Sequence, residues 1–422
     1  MRARRLAALL FAFAVLAAAA WTARPYVHGL SFVIRAAEAA GTARRLADLD
    51  TTATREREIA IPTVRGPLRA RLYEPSRPRH RAALLVSGLH PAGIDEPRLV
   101  GLARHLSASG LTVVTPDIPE LSRFEIAPAI TDAIEEAGVW LSSDQELAPD
   151  RKVGLMGISF SGGLSVVASG RPSIADRVAF VHSFGGHADL PRVLRYLCTG
   201  VEPRPTHQLQ LPAFAPRASA RPRPTLDASD ASGRGKSATT GDVGVFVRSP
   251  DDDGVAVMLL GLADRLVPPA QVEPLRAAVR RFLAASILAR VDKPQADRDF
   301  ESLRAAAKRM PEPSATLLRY VNERDVVHLG ARLVAFVGSY GGDPALSPSR
   351  SAKPSAPVFL LHGLDDNVIP AVESEYLAED LRGHAPVRLL LSGIISDAEA
   401  DRPIHAGEVM KLAGFWGDLL SR

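Results

Sequence analysis

Cys198 is the only cysteine in this 422-residue chain. One thiol closes no intrachain disulfide and builds no cysteine metal cluster. Its neighbours, Arg195-Tyr196-Leu197 before it and Thr199-Gly200 after it, include no histidine for a thiolate pair. Cys198 therefore reads as a small, semi-buried side chain. Long basic runs interleaved with aromatics are also missing. The net charge of +4 comes from scattered arginines rather than lysine-rich blocks, which argues against a nucleic-acid surface. No internal repeat is present and no cofactor is indicated.

The N-terminus carries the first positive signal. MRARR is followed by LAALLFAFAVLAAAAW, residues 6–21, with no charge and no helix breaker. This is the pattern of an export signal or a signal anchor. The run is slightly shorter than the about 17–25 residues of a comfortable span. Small residues at Ala18–Ala20 allow cleavage, whereas Trp21 and the following RPYVHGLSFVIRAAE suit the interfacial end of an anchor. Residues 1–30 are thus expected to be a signal anchor or signal peptide that contacts the membrane. The positive end stays inside, so the rest of the chain is expected outside the cytoplasm, secreted if the N-terminus is cleaved. The lack of disulfides does not conflict with export.

Beyond a helix expected over Phe32–Leu49, strands and helices alternate. Two short strands flank the turn Arg65-Gly66-Pro67. Ala82–Val86 is an apolar strand, and PRLVGLARHLSASG is a helix with a glycine stop at Gly110. LTVVTPD is a strand, Ile126–Leu141 a helix and KVGLM a strand; the stretch after GISFSGG is a helix, and RVAFVHSFGG is a further strand. Such alternation predicts an α/β fold with a mostly parallel, doubly wound sheet. It stops near Pro191 and resumes with strands at Ala356–Gly363 and Val387–Ser392 and a helix over HAGEVMKLAGFWGDLL. Between them, Glu202–Asp253 is rich in Pro, Arg, Ser, Asp and Gly and reads as disordered. Gly254–Gly338 has helical spacing and reads as an all-helical cap over the carboxyl ends of the strands. The expected division is 31–193 and 354–422 for the two parts of the core, 194–253 for the disordered insertion and 254–353 for the cap.

GISFSGG, Gly157–Gly163, joins a strand to a helix at a carboxyl end of the sheet, where ligands of doubly wound folds bind. A phosphate loop is not a match, because this segment has neither a Lys-Ser/Thr ending nor GxGxxG phasing. A sharp strand-to-helix turn that exposes a serine needs small residues two before and two after it. Ser159, between Gly157 and Ser161, meets that need. Ser161, between Ser159 and Gly163, meets it as well and stays open as the alternative. Downstream, VFLLHGLDDNVIP ends a strand with two acids, and DRPIHAGEV puts His405 before the last helix. His182, His187 and Asp189 cluster after another strand, but a metal there would need further ligands that the sequence does not offer.

Serine, acid and histidine in this order, each after its own strand, resemble the triad of the α/β-hydrolases. The chain looks like a dienelactone hydrolase or esterase-like serine hydrolase, over about Ile59–Val193 and from Pro354 to the C-terminus, interrupted by the helical cap. The resemblance implies Ser159 as nucleophile and His405 as base. In the family the acid segment has the shape HGxxDxxVP; here His362, Gly363, Asp366 and Pro370 match, with Ile369 at the Val position. That selects Asp366 over Asp365. LGLADRLVPP offers the same pattern at Asp264, but its helical spacing makes Asp264 a helix C-terminal residue. The oxyanion hole implied is the backbone N–H of Phe160 with that of Leu89. Ser87-Gly88 stands there in place of the family's commoner His-Gly. The implied activity is hydrolysis of a carboxylic ester, small or lipid-like, with no cofactor and no metal. An acyltransferase or peptidase would use the same groups, and a catalytically idle, membrane-tethered binding protein would keep only the fold.

Overall fold

Short apolar runs become the centre of one sheet. The computed structural model of the chain describes residues 22–78, 82–204, 244–395 and 405–422. The strands are β1 (Thr54–Ile61), β2 (Leu68–Pro75), β3 (Ala82–Val86), β4 (Thr112–Pro116), β5 (Val153–Ile158), β6 (Val178–Phe184), β7 (Val201–Arg204), β8 (Gly244–Val247), β9 (Val358–Gly363) and β10 (Val387–Ser392). Eight of them form a sheet in the order β1-β2-β4-β3-β5-β6-β9-β10, and β7 pairs with β8 alone. β1 and β2 run antiparallel around the turn at Gly66, whose φ is +109°. Every pairing from β4 to β10 is parallel.

Strand periodicity divides the core into two layers. Ala82, Leu84 and Val86 of β3 face one layer with Ile134 and Leu164, while Ala83 and Leu85 face the other with Leu106 and Phe415. β3 is buried along its whole length, as a central parallel strand must be when helices cover both faces. β1, at the edge, exposes Arg55, Glu56, Arg57 and Glu58, charges that discourage pairing with another chain.

The segment between β8 and β9 is helical, as its spacing predicts, with helices over Asp252–Leu266, Pro269–Leu288, Lys293–Ala307, Ser314–Asn322 and Val326–Leu333. Leu259, Phe282 and Leu318 share one buried layer with Leu84 and Val181 of the sheet. These helices therefore have no separate core of their own. Of the stretch read as disordered, residues 205–243 lie outside the described residues, and its two flanks pair as β7 and β8.

The N-terminal region differs from expectation. The helix expected over Phe32–Leu49 is two helices, 22–36 and Gly41–Asp48, because Glu38 (φ 51°) and Gly41 (φ 75°) turn the chain left-handed between them. The segment read as the interfacial end of an anchor packs into the fold. A Cβ at Gly29 would overlap the Ala413 carbonyl, and one at Gly417 the Pro25 carbonyl. Phe32 meets Trp416 at 4.2 Å between ring centroids. Residues 22–36 thus pack as part of the folded body. Among the described residues no helix is long and apolar enough to cross a membrane. The apolar run itself, 6–21, lies outside them.

Candidate active site

Ser159 sits where β5 turns into the helix Phe160–Ser169, with φ 56° and ψ −128°. A side chain in that region costs on the order of 1–3 kcal/mol, which the surrounding contacts must offset. Two hydrogen bonds and one glycine do so. The Ser159 N–H donates to the Phe184 carbonyl at 2.6 Å, and the Ser159 carbonyl accepts from Gly162 at 2.9 Å. Gly157 leaves space for the chain to fold back, since a Cβ there would collide with the Ser161 carbonyl.

The two serines of GISFSGG part company here. Ser161 is fully buried. Its Oγ accepts from the Ile158 N–H at 3.0 Å and lies 2.9 and 3.1 Å from the carbonyls of Ile158 and Val86. That hydroxyl pins the elbow to β3. Ser159 is only partly buried and faces the loop that follows β3. A Cβ at Gly88 would lie 3.4 Å from the Ser159 Cβ, so this loop crosses directly over the elbow. Its Leu89 is half-buried against the core, and the His90 N–H donates to the Leu121 carbonyl at 3.3 Å. Among the described residues no turn or loop hydrogen bond takes up the N–H of Leu89 or of Phe160. A strained serine at a strand-to-helix elbow, covered by the loop after a neighbouring strand, on a doubly wound sheet, decides the architecture. The fold is that of an α/β-hydrolase.

In this hydrolase fold the acid segment follows β9. Asp366 Oδ1 accepts from the N–H groups of Val368 and Ile369, each at 2.9 Å. Oδ2 lies 3.4 Å from His362 Nε2 and 3.5 Å from where a Cβ at Gly185 would stand. Gly185 directly follows Phe184, whose carbonyl holds the Ser159 amide. Ser159 and Asp366 are therefore joined through one short stretch at the end of β6. Asp365 lies beside Arg248, 3.9 Å from Nη2. Asp264 is on the inserted helix Asp252–Leu266 and pairs with Arg276, as its spacing implied.

His405 begins the last described segment. Its carbonyl accepts from Glu408 and Val409, and its ring is exposed at the start of the helix Ala406–Leu420. Among the described residues no hydrogen bond links that ring to Ser159 or Asp366. The preceding residues, 396–404, are outside the described set.

The remaining histidines near the sheet have structural tasks. His362 spends both ring nitrogens inside the fold, Nδ1 on Ser374 Oγ at 2.7 Å and Nε2 on the Ile369 carbonyl at 2.8 Å. His182 packs among Phe184, Phe415 and Trp416, and burial pushes it down to about 4. His187 stacks on Phe160 with 5.2 Å between centroids and donates to the Leu346 carbonyl, so it supports the elbow helix from beneath. Asp189 caps the helix Leu190–Thr199 and pairs with Arg350. These three residues each have a role in packing or capping. Cys198 is buried beside Met258, and burial pushes its thiol up to about 12. Sequence reading missed Arg248, whose guanidinium contacts the Asp366 loop; nothing in its local sequence signals that contact.

No protein-family model matches this chain, and no curated protein matches it. Among solved structures it is similar to an esterase of Pyrobaculum calidifontis, with 16% identity, a TM-score of 0.41 and coverage of 94% of this chain and 92% of that one. A thermophilic carboxylesterase cloned from a metagenomic library has 15% identity, TM-score 0.41 and coverage of 95% and 96%. A dienelactone hydrolase of Anabaena variabilis has 13% identity, TM-score 0.38 and coverage of 86% and 96%.

Proposed function

We propose that this chain is a serine hydrolase that cleaves carboxylic esters, with Ser159 as nucleophile, His405 as base and Asp366 as the acid orienting it. The observation that carries the reading is the strained, partly exposed Ser159 with the Gly88 loop lying over it. In this scheme His405 takes the Ser159 proton as Oγ attacks the ester carbonyl. The oxyanion is held by the Phe160 and Leu89 amides, each of the kind worth ~3–4 kcal/mol of barrier. Collapse expels the alcohol, which receives the proton from His405. Water, deprotonated by His405, then cleaves the acyl-enzyme, and Ser159 leaves reprotonated. The inserted helices serve as the cap that lines an apolar acyl or alcohol pocket. Anchoring by residues 6–21 would place this site outside the cytoplasm, next to lipid and envelope esters; membrane fractionation checks that placement.

A second reading, an idle scaffold, is favoured by one observation: the His405 ring is exposed and, among the described residues, hydrogen-bonds to neither Ser159 nor Asp366. Fluorophosphonate labelling of the full chain, followed by peptide mass spectrometry, separates the two. The full chain is needed because residues 22–36 pack inside the fold. Modification at Ser159 that is lost in His405→Ala supports the triad. Folded protein that stays unmodified gives the case to the idle scaffold.

A further inference from the structure

We propose that Arg248 is a positioning residue for the Asp366 loop, through which the inserted segment sets the geometry of the catalytic acid; this rests on the reading of Asp366 as that acid. The loop 364–367 leaves β9 with little apolar burial to hold it, since Leu364 and Val368 are both exposed. A loop of that kind is held by polar contacts or not at all. Its own contacts are local: the Asp366 N–H reaches the Gly363 carbonyl at 3.3 Å, and the carboxylate takes the Val368 and Ile369 amides.

Outward, the backbone carbonyls of Leu364, Asp366 and Asn367 are all taken by one stretch of chain and its neighbour helix. Arg248 Nη1 donates to the Asp366 carbonyl at 2.8 Å and Nη2 to the Leu364 carbonyl at 3.3 Å. The Asn367 carbonyl accepts from the Asp251 N–H at 2.9 Å and from the Tyr196 hydroxyl at 3.2 Å. Arg248 is itself fixed, because its N–H donates to the carbonyl of Gly200, the left-handed residue that ends the helix Leu190–Thr199. A guanidinium suits this place because its planar fork serves two carbonyls at once, which a lysine ammonium on a flexible stem does not reproduce. The loop backbone is thus clamped from the insertion, while the carboxylate is aimed from inside the loop. Moving such a loop by about an ångström misaligns the base that the acid orients, and displacement on that scale costs up to about a hundredfold in rate.

The test measures ester turnover on a p-nitrophenyl ester for the full chain, normalised to sites titrated with fluorophosphonate. Arg248→Met is expected to lower kcat by about tenfold to a hundredfold, with KM held within about twofold. Arg248→Lys should recover part of that loss, and Tyr196→Phe should show a smaller loss of the same kind. A merely structural role would lower the fraction of titratable sites and leave kcat per site unchanged, and that result overturns the proposal. A rise in KM alone also overturns it. Should Arg248→Met fail to fold, Arg248→Lys and Tyr196→Phe carry the same comparison. If the wild-type chain itself is never labelled, the hydrolase reading fails, and hydrogen exchange at the Val368 and Ile369 amides becomes the readout. Faster exchange in the Arg248 variants then keeps the clamp as a property of the loop; unchanged exchange removes it.

Discussion

The amide of Ser159 donates to the carbonyl of Phe184 across the gap between β5 and β6, at 2.6 Å. That bond holds a residue with φ 56° in a conformation it would not choose alone. Its receiving strand ends at Phe184, and the next residue, Gly185, lies beside the Asp366 carboxylate. Ser159 and Asp366 are therefore both placed by the end of one strand.

Ser159→Gly should abolish fluorophosphonate labelling and ester turnover while raising stability by about 1 kcal/mol, since glycine occupies this backbone region without the side-chain penalty. Ser161→Ala should do the opposite. It leaves the Ile158 N–H without its hydroxyl partner and frees the elbow from Val86, a loss of about 1–3 kcal/mol, with the nucleophile still present. Denaturant titration and labelling of both variants check the pair. Labelling that survives Ser159→Gly and disappears with Ser161→Ala would reverse the assignment.

Gly29→Ala places a methyl group against the Ala413 carbonyl, where the helix 22–36 crosses the last helix. Overpacking of this kind costs about 1–3 kcal/mol. A thermal melt should show the drop, whereas Gly101→Ala, in the helix Pro97–Ala108 and with nothing within 4 Å, should lose nothing. Equal losses in the two variants would mean that the N-terminal helix does not pack as described.

His182 is buried and neutral, with its folded value pushed down to about 4 from 6.5. The unfolded chain binds the proton first as pH falls. Stability from this group is therefore intact above about pH 6.5 and lost as the pH falls toward 4, by about 3 kcal/mol in all. His182→Phe, in an aromatic pocket with Phe184 and Phe415, should flatten the pH dependence of the melting temperature between pH 4 and 6.5. A variant that keeps the wild-type slope would place that acid sensitivity elsewhere.

Asp253 runs the other way. Burial, and then the neighbouring Asp251, push it up to about 6 from 3.8. The folded chain then holds more protons than the unfolded one between those values, so stability falls as pH rises through about 4 to 6. Asp253→Asn should be more stable than wild type at pH 7, by about 3 kcal/mol before any loss from its contact with Arg324. At pH 4 the gain should vanish. Melts at the two pH values check this, and a gain that persists at pH 4 would show that charge is not its cause.

What the sequence by itself determined was the elements that local apolar spacing marks, though not the left-handed break at Glu38 and Gly41. The apolar runs at Ala82–Val86 and Val358–Gly363 suit strands between helix layers, and the small residues of GISFSGG suit a sharp turn that exposes Ser159 or Ser161. Helical spacing put Asp264 on a helix, where the structure has it; Asp366 was singled out by the likeness of its segment to the hydrolase acid loop. Tertiary structure decided what depends on segments far apart in the chain. It buried Ser161 under Val86, seventy-five residues away in sequence, and left Ser159 facing the Gly88 loop. It packed residues 22–36 onto the last helix, because Gly29 and Gly417 allow two backbones to touch, a fit that neither stretch reveals alone. It brought Arg248 to carbonyls 116 and 118 positions onward. An arginine that bonds main-chain oxygens leaves no pattern in sequence, because every residue offers a carbonyl and only the fold selects which one it meets.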